Sequence, residues 1–222
     1  MSSSAVIPSS SSDVQSIVDP STVVIGSITD TRDGQTYKTV TIGTQTWMAQ
    51  NLNYETANSY CYNDYASNCT TDGRLYTWAA AMDSAGTWSS NGNGCGDGKT
   101  CTPTYLVRGV CPTGWHLPDT TEWNTLFAAV GGLTMAGKTL KSTSGGYSGG
   151  NGTDAYLFSA LPAGYRNGYG GYYDEGDYAN FWSSTENEDY GAHYVFLICD
   201  GDFAYLSFTN KSYRFSVRCV KD

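Results

Sequence analysis

VFLICDGDFAYLSF, residues 195–208, reads as two short strands around an Asp200-Gly201 turn, yet it is apolar on both faces. Side chains alternate across a strand, so a strand on a one-sided sheet alternates apolar with polar residues. Here that alternation is missing, and two explanations are open. Either both faces are buried, or one face is an apolar surface meant for a partner. With Val195, Leu197, Ala204 and Leu206 turned inward, the other face carries Tyr194, Phe196, Ile198, Phe203, Tyr205 and Ser207. Asp-Gly suits a tight primed turn between the arms. Phe208, Thr209, Asn210 and Ser212 continue toward the next turn, and Tyr190, His193, Asp200 and Asp202 flank the same surface. An exposed outer face would be a contiguous aromatic patch, which in a soluble protein usually marks a binding site. Cover from the Tyr-rich segment at 165–178 would make it a second layer of core instead. The Tyr, Ser, Asn and Asp at its edges are the residues of adaptable binding surfaces and favour the first option. Tyr190, His193, Tyr194, Phe196, Ile198, Asp200, Asp202, Phe203, Tyr205, Ser207, Phe208, Thr209, Asn210 and Ser212 are therefore the candidate ligand-binding residues. Trp182, in FWSS, is expected to support them from the core.

The rest of the chain sets the context. Its 222 residues carry a net charge of −9, with 18 Tyr and 26 Gly. This acidity provides no basic footprint for nucleic acid and would be repelled by anionic lipid. No apolar run approaches the roughly 20 residues needed to span a bilayer. The Ser-rich, Pro-punctuated start, residues 1–27, reads as a flexible tether to a domain at 28–222. It has neither the basic region nor the apolar core of a secretory signal, so the expectation is a signal or lipid anchor further upstream. Seven cysteines also argue for an oxidising compartment. Cys61–Cys69 and Cys95–Cys101 are candidate local staples, Cys111–Cys219 a candidate long-range bridge, and Cys199 is left as a free thiol. Other pairings, or reduced thiols, remain open at this level.

Asp33–Tyr54, DGQTYKTVTIGTQTWMAQNLNY, alternates Thr, Val and Tyr between turn signals and predicts a hairpin or meander. Gly73–Gly86, GRLYTWAAAMDSAG, predicts a compact helix, and residues 87–110 a loop with a short ordered stretch near Tyr105–Val110. LPDTTEWNTLFAAVGG, residues 117–132, is the clearest local signal. Asp119 caps a helix, Glu122 completes a capping box, and Trp123, Leu126, Phe127 and Val130 form one apolar stripe before Gly131-Gly132. Residues 138–152 and 165–178 read as loops, with short strands after them. Two helices early and short strands late predict an α+β fold.

These stretches, with CPTGWHLPDTTEWNTL, LPAGYRN, FWSSTE and FSVRCVKD, resemble the Fibrobacter succinogenes major paralogous domain from Thr31 to Asp222. That family is similar in turn to the formylglycine-generating enzymes. The resemblance implies a loop-rich C-type-lectin-like domain: two helices, small antiparallel sheets and chain ends close together. A Cys111–Cys219 bridge suits that layout. No activity comes with the resemblance. Formylglycine-generating enzymes hold copper between two active-site thiolates, whereas this chain offers only Cys199.

Other chemistry finds little support. A glycosidase needs two carboxyl groups roughly 5–10 Å apart across a cleft. Asp174, Glu175, Asp177, Glu186, Glu188 and Asp189 read as solvated loop acids, and His116 as packing beside Trp115. No zinc spacing, Ser/His/Asp order or phosphate loop stands out. The oxygen-rich loops DYASNCTTDG and GYYDEGDYAN leave a structural calcium open, although neither has EF-hand spacing. One pattern remains. Every outer-face and turn residue of the hairpin, Cys199 included, is reachable from an asparagine codon by changing only adenines. This resembles lectin-like domains diversified by retroelements. The expectation is a monomeric, exported, non-catalytic, adhesin-like module that meets a protein or carbohydrate ligand through residues 190–212. Its alternative is a polysaccharide-binding accessory module.

Overall fold

The computed structural model describes residues 16–147 and 150–222. Near the start, the Asp19 carboxylate accepts from Ser21 N–H to cap a 3-10 turn at Pro20–Thr22. Val18 N–H donates to the Ala129 carbonyl, tying this segment to the domain. Strand β1 (Val24–Thr29) then pairs antiparallel with β2 (Thr36–Ile42), and β3 (Gln45–Met48) completes the expected meander. The tether boundary expected at residue 27 therefore falls inside a strand. Backbone hydrogen bonds to β2 order β1 while leaving most of its side chains exposed, which composition alone does not reveal. The remainder of the expected tether, residues 1–15, lies outside the described residues.

Helices number four among the described residues, against an expected two. In GRLYTWAAAM the first half is strand β5 (Leu75–Thr77), paired with β4 (Ser59–Tyr60), and helix α2 (Trp78–Ala81) is one turn. Pairing to β4 and to Arg214–Phe215 overrides the helical propensity of that stretch. Helix α1 (Ala66–Asp72) forms in a polar run closed by the Cys61–Cys69 disulfide, where the sequence shows no apolar periodicity. After β6 (Trp115–His116), helix α3 (Thr120–Ala129) begins with the expected capping box. Asp119 accepts from Glu122 N–H at 2.8 Å, and Glu122 accepts from Asp119 N–H at 2.9 Å. Gly132, at φ +82°, turns the chain directly into α4 (Leu133–Leu140), so the loop expected from 138 starts only after Leu140.

The Tyr-rich segment at 165–178 is likewise a sheet rather than a loop. Strand β7 (Ala163–Arg166) pairs with β8 (Tyr172–Glu175), and β9 (Tyr178–Asn187) runs parallel to β7. Strands β10 (Gly191–Ile198) and β11 (Ala204–Asn210) form the hairpin, followed by β12 (Arg214–Phe215) and β13 (Val220–Lys221). Two sheets result, one ordered β1-β2-β3-β13-β6, the other β11-β10-β9-β7-β12-β5-β4 with β8 on β7.

Two separate cores explain the missing alternation. The first packs Trp47, Trp123, Leu126, Phe127, Phe158 and Phe181 together with Val195, Leu197 and Ala204. The second holds Tyr76, Trp78, Trp115, Trp182, Ala192, Phe215 and the Cys111–Cys219 bridge. Strand β10 gives Ala192 to the second core from one face and Val195 and Leu197 to the first from the other. In β9, Phe181 and Trp182 divide in the same way. Such strands are apolar on both faces because each face is buried over part of its length.

Candidate functional site

The hairpin arms behave as expected, with Val195, Leu197 and Ala204 buried against the first core. Its tip does not. The last paired residues are Leu197 and Ala204, so Asp200-Gly201 lies in a wide loop instead of a two-residue turn. That loop is held from outside the hairpin. The Lys141 ammonium, buried behind α4, donates to the carbonyls of Ile198, Cys199 and Gly201 at 2.8, 2.9 and 2.8 Å. Lys138 N–H donates to the Asp202 carbonyl, and Cys199 N–H to that of Asp177. Helix α4 approaches so closely at Gly137 that a Cβ there would overlap the Phe203 carbonyl. A tip bound elsewhere has no need of the primed turn.

On the outer face a ladder of rings leads from the second core to solvent. Phe215 stacks on Tyr194 at 4.8 Å between centroids, and Tyr194 on Phe196 at 5.5 Å. Phe196 stacks nearly parallel on Tyr205 at 4.6 Å, and Tyr205 meets Phe203 at 6.1 Å. Trp182, fully buried, touches the ladder's inner end through Phe215 at 4.5 Å. Phe203 and Tyr205 are 46% and 41% exposed. The outer face is thus covered at one end and open at the other.

Beside the ladder lies a pocket of about 180 Å³. Its aromatic walls are Tyr165, Tyr178, Tyr194, Tyr213 and Phe215, and its polar side chains are Asp174, Asn180 and Thr209. Tyr178 stands 6.0 Å from Phe196, so pocket and ladder form one surface. Burial pushes the Tyr165, Tyr178 and Tyr194 phenols up, which keeps them protonated at neutral pH, able to donate and to accept. Burial, with Asp177 nearby, also raises the Asp174 carboxyl. Asp174 is the one carboxylate among the lining residues.

The expected site residues separate into groups. Tyr194, Phe196, Phe203, Tyr205 and Ser207 share the outer face, and Thr209 joins Tyr194 in the pocket. Ile198, Cys199, Asp200 and Asp202 occupy the tip, with Asp202 3.5 Å from the Lys138 ammonium. His193 and Phe208 are register partners on the opposite face, their rings 6.2 Å apart. Tyr190, Asn210 and Ser212 lie at the far end of the hairpin, where the Tyr190 carbonyl accepts from Lys211 N–H. Tyr165, Asp174, Tyr178, Asn180, Tyr213 and Phe215 line the pocket but were not expected in the site. For Tyr165, Asp174 and Tyr178 the signal is the Tyr density of 165–178, one option for which was a cover; pairing of β7 with β8 and β9 makes it a wall.

Away from the pocket, Lys211 and His116 are engaged structurally. Lys211, 1% exposed, donates to Glu186 at 2.5 Å and to the Lys99 and Asp189 carbonyls, pinning the Cys95–Cys101 loop. His116 is not simply packed beside Trp115. It lies between Glu122 at 2.7 Å and Asp222 at 2.8 Å, because strand β6 faces both the start of α3 and the chain end. The three disulfides join Cys61 to Cys69, Cys95 to Cys101 and Cys111 to Cys219, with Cys199 free. Among the described residues no three His, Cys, Asp or Glu side chains are grouped to hold a metal ion, and no helix is long and apolar enough to cross a membrane.

No curated protein and no solved structure matches this chain. The model of the Fibrobacter succinogenes major domain does match it, over residues 40–221, a span that holds the first core, all of the second but Tyr37, the hairpin and the pocket. The chain belongs to the Fibrobacter succinogenes major domain family.

Proposed function

We propose that this chain is an exported, non-catalytic ligand-binding module that takes a sugar residue in the Tyr165–Tyr178–Tyr194–Tyr213 pocket and extends the contact along the Phe196–Tyr205–Phe203 ladder. The observation that carries this reading is the composition of the pocket. Aromatic faces receive the C–H faces of a sugar ring, while Asp174, Asn180, Thr209 and the tyrosine hydroxyls supply convergent hydrogen bonds. A C-type-lectin-like fold is supported by strand β13, which joins the chain end to the N-terminal sheet beside the Cys111–Cys219 bridge. Export is supported by the three disulfides. A non-catalytic role fits a lone pocket carboxylate and a Cys219 sulfur already bridged.

A protein partner is the second reading, favoured by the open end of the ladder at Phe203 and Tyr205. Diversification of the tip would serve either ligand. Lys141 holds that loop by its carbonyls, a hold that does not depend on which side chains stand at 198, 199 and 201. A template repeat and a reverse transcriptase gene beside the coding sequence are expected on this view; a locus without them overturns it.

The test is a binding screen of the purified domain against a glycan panel, insoluble polysaccharides and surface-protein extracts. Wild type is compared with Phe196→Ser/Phe203→Ser/Tyr205→Ser. The expected result is glycan binding that weakens about tenfold or more in a folded variant, the scale of losing stacked aromatic contacts. Glycan binding indifferent to the variant removes the ladder from the site. A protein captured through the ladder, with no glycan bound, selects the second reading.

A further inference from the structure

Arg166 of β7 and Arg214 of β12 are register partners in adjacent antiparallel strands. Both side chains therefore leave the face opposite to Tyr165 and Phe215, the pocket residues next to them in sequence. The Arg166 guanidinium lies 4.0 Å from the Tyr60 ring centroid and 5.2 Å from that of Tyr172. Arg214 lies over the same Tyr60 ring at 5.4 Å. Stacking occupies the faces of a guanidinium and leaves its N–H edges free. Little inside the protein uses those edges. Arg166 donates only from Nε, to the Gly170 carbonyl at 3.3 Å. Arg214 donates from Nη1 to the Asn167 and Ser212 carbonyls at 2.6 Å each, while its Nε is buried without a partner.

Neither arginine forms a salt bridge among the described residues, in a chain with 21 acidic and 12 basic side chains. Asp64 is engaged by the Tyr172 hydroxyl at 2.6 Å. Two adjacent guanidiniums, fixed by aromatic rings and lacking a carboxylate, form a fork whose complement is a planar oxyanion. We infer that Arg166 and Arg214, framed by Tyr60 and Tyr172, form a second binding site that takes the carboxylate of an acidic sugar. This inference rests on the carbohydrate reading of the pocket and adds a site for acidic sugars on the opposite face of the sheet.

Calorimetric titration at low salt tests it with trigalacturonate and its methyl-esterified, uncharged form. The acid form is expected to bind about tenfold or more tightly than the ester, the scale of a charge-assisted hydrogen bond to a guanidinium. Arg166→Gln/Arg214→Gln should abolish that preference and leave ester binding unchanged, whereas Arg166→Lys should retain part of it. Added salt should shrink the difference. Should the double variant fail to fold, Arg166→Gln alone removes one internal hydrogen bond and the stacking on Tyr60 and Tyr172, and the acid-to-ester comparison in wild type needs no variant. Equal binding of acid and ester, or a preference that survives the double variant, overturns the inference and leaves the pocket reading standing. A triglutamate peptide bound through the arginines in place of the sugar also overturns it. If neither sugar form binds, the inference and the carbohydrate reading fall together.

Discussion

Two buried basic residues show how single side chains depend on distant partners. Burial alone would push the His116 imidazole down, but its hydrogen bonds to Glu122 and Asp222 outweigh that and raise its pKa. Protonation is therefore favoured in the folded state. The stabilisation is complete below the unfolded-state value near 6.5 and is lost as pH rises through the higher folded-state value. Urea unfolding from pH 5 to 9 should show stability falling across that window in wild type and a flatter profile in His116→Gln. Arg218, fully buried, donates to Asn51 at 2.6 Å and to the Met48, Phe158 and Ser159 carbonyls at 3.1, 2.5 and 2.7 Å. Burial draws its guanidinium down to about 9, still charged at neutral pH. Arg218→Met strands those acceptors and should cost about 3 kcal/mol or more in denaturant unfolding. Neither role was readable in the sequence, because Asp222 and Phe158 reach these sites only through the chain's return path.

At the scale of elements, helix α3 and the hairpin tip stand at opposite extremes. Every signal for α3 is local, from the Asp119–Glu122 capping box to the stripe of Trp123, Leu126 and Phe127. Asp119→Ala should cost about 1 kcal/mol by thermal or denaturant unfolding, the usual worth of an N-cap. The tip is organised from outside. Burial lowers the Lys141 pKa, with Cys199, Asp202 and Asp200 opposing that shift, and the ammonium binds three carbonyls of the loop. Lys141→Met should cost about 2–3 kcal/mol and speed amide exchange at residues 199–202 before the rest of the hairpin responds. Exchange that accelerates uniformly across the domain would show that the tip is not a separate unit. The Asp-Gly pair suggested a tight turn because the lysine that widens the loop lies some 60 residues earlier. Helices α1 and α2 were misread for a related reason: a disulfide and a sheet edge decided their backbone.

In the whole molecule, covalent closure follows sequence separation. Cys111–Cys219 spans 108 residues and Cys95–Cys101 only 6. Chain-entropy arithmetic assigns the long bridge roughly 4–5 kcal/mol and the short one roughly 2 kcal/mol. Cys111→Ala/Cys219→Ala should therefore lower denaturant stability by more than Cys95→Ala/Cys101→Ala, and further still because the long bridge lies inside the second core. A larger loss from the short bridge would show that the Gly-rich loop it closes carries more of the fold than its length suggests.

By itself the sequence determined what depends on neighbouring residues: the α+β class, the meander at 36–48, the capped helix α3, the inward aliphatic row of the hairpin and the family. These follow from side-chain periodicity, capping chemistry and motif order, all expressed within a few residues. Only the tertiary structure decided which hairpin rings meet solvent, where the pocket lies and how Arg166 and Arg214 come together. The physical reason is that the central strands pass between two cores. Burial of each strand face is therefore set by whichever element packs there, Phe215 from β12 over Tyr194 and Tyr178 at the start of β9 beside Phe196. An apolar strand reads the same in sequence whether its outer face meets core, pocket or water.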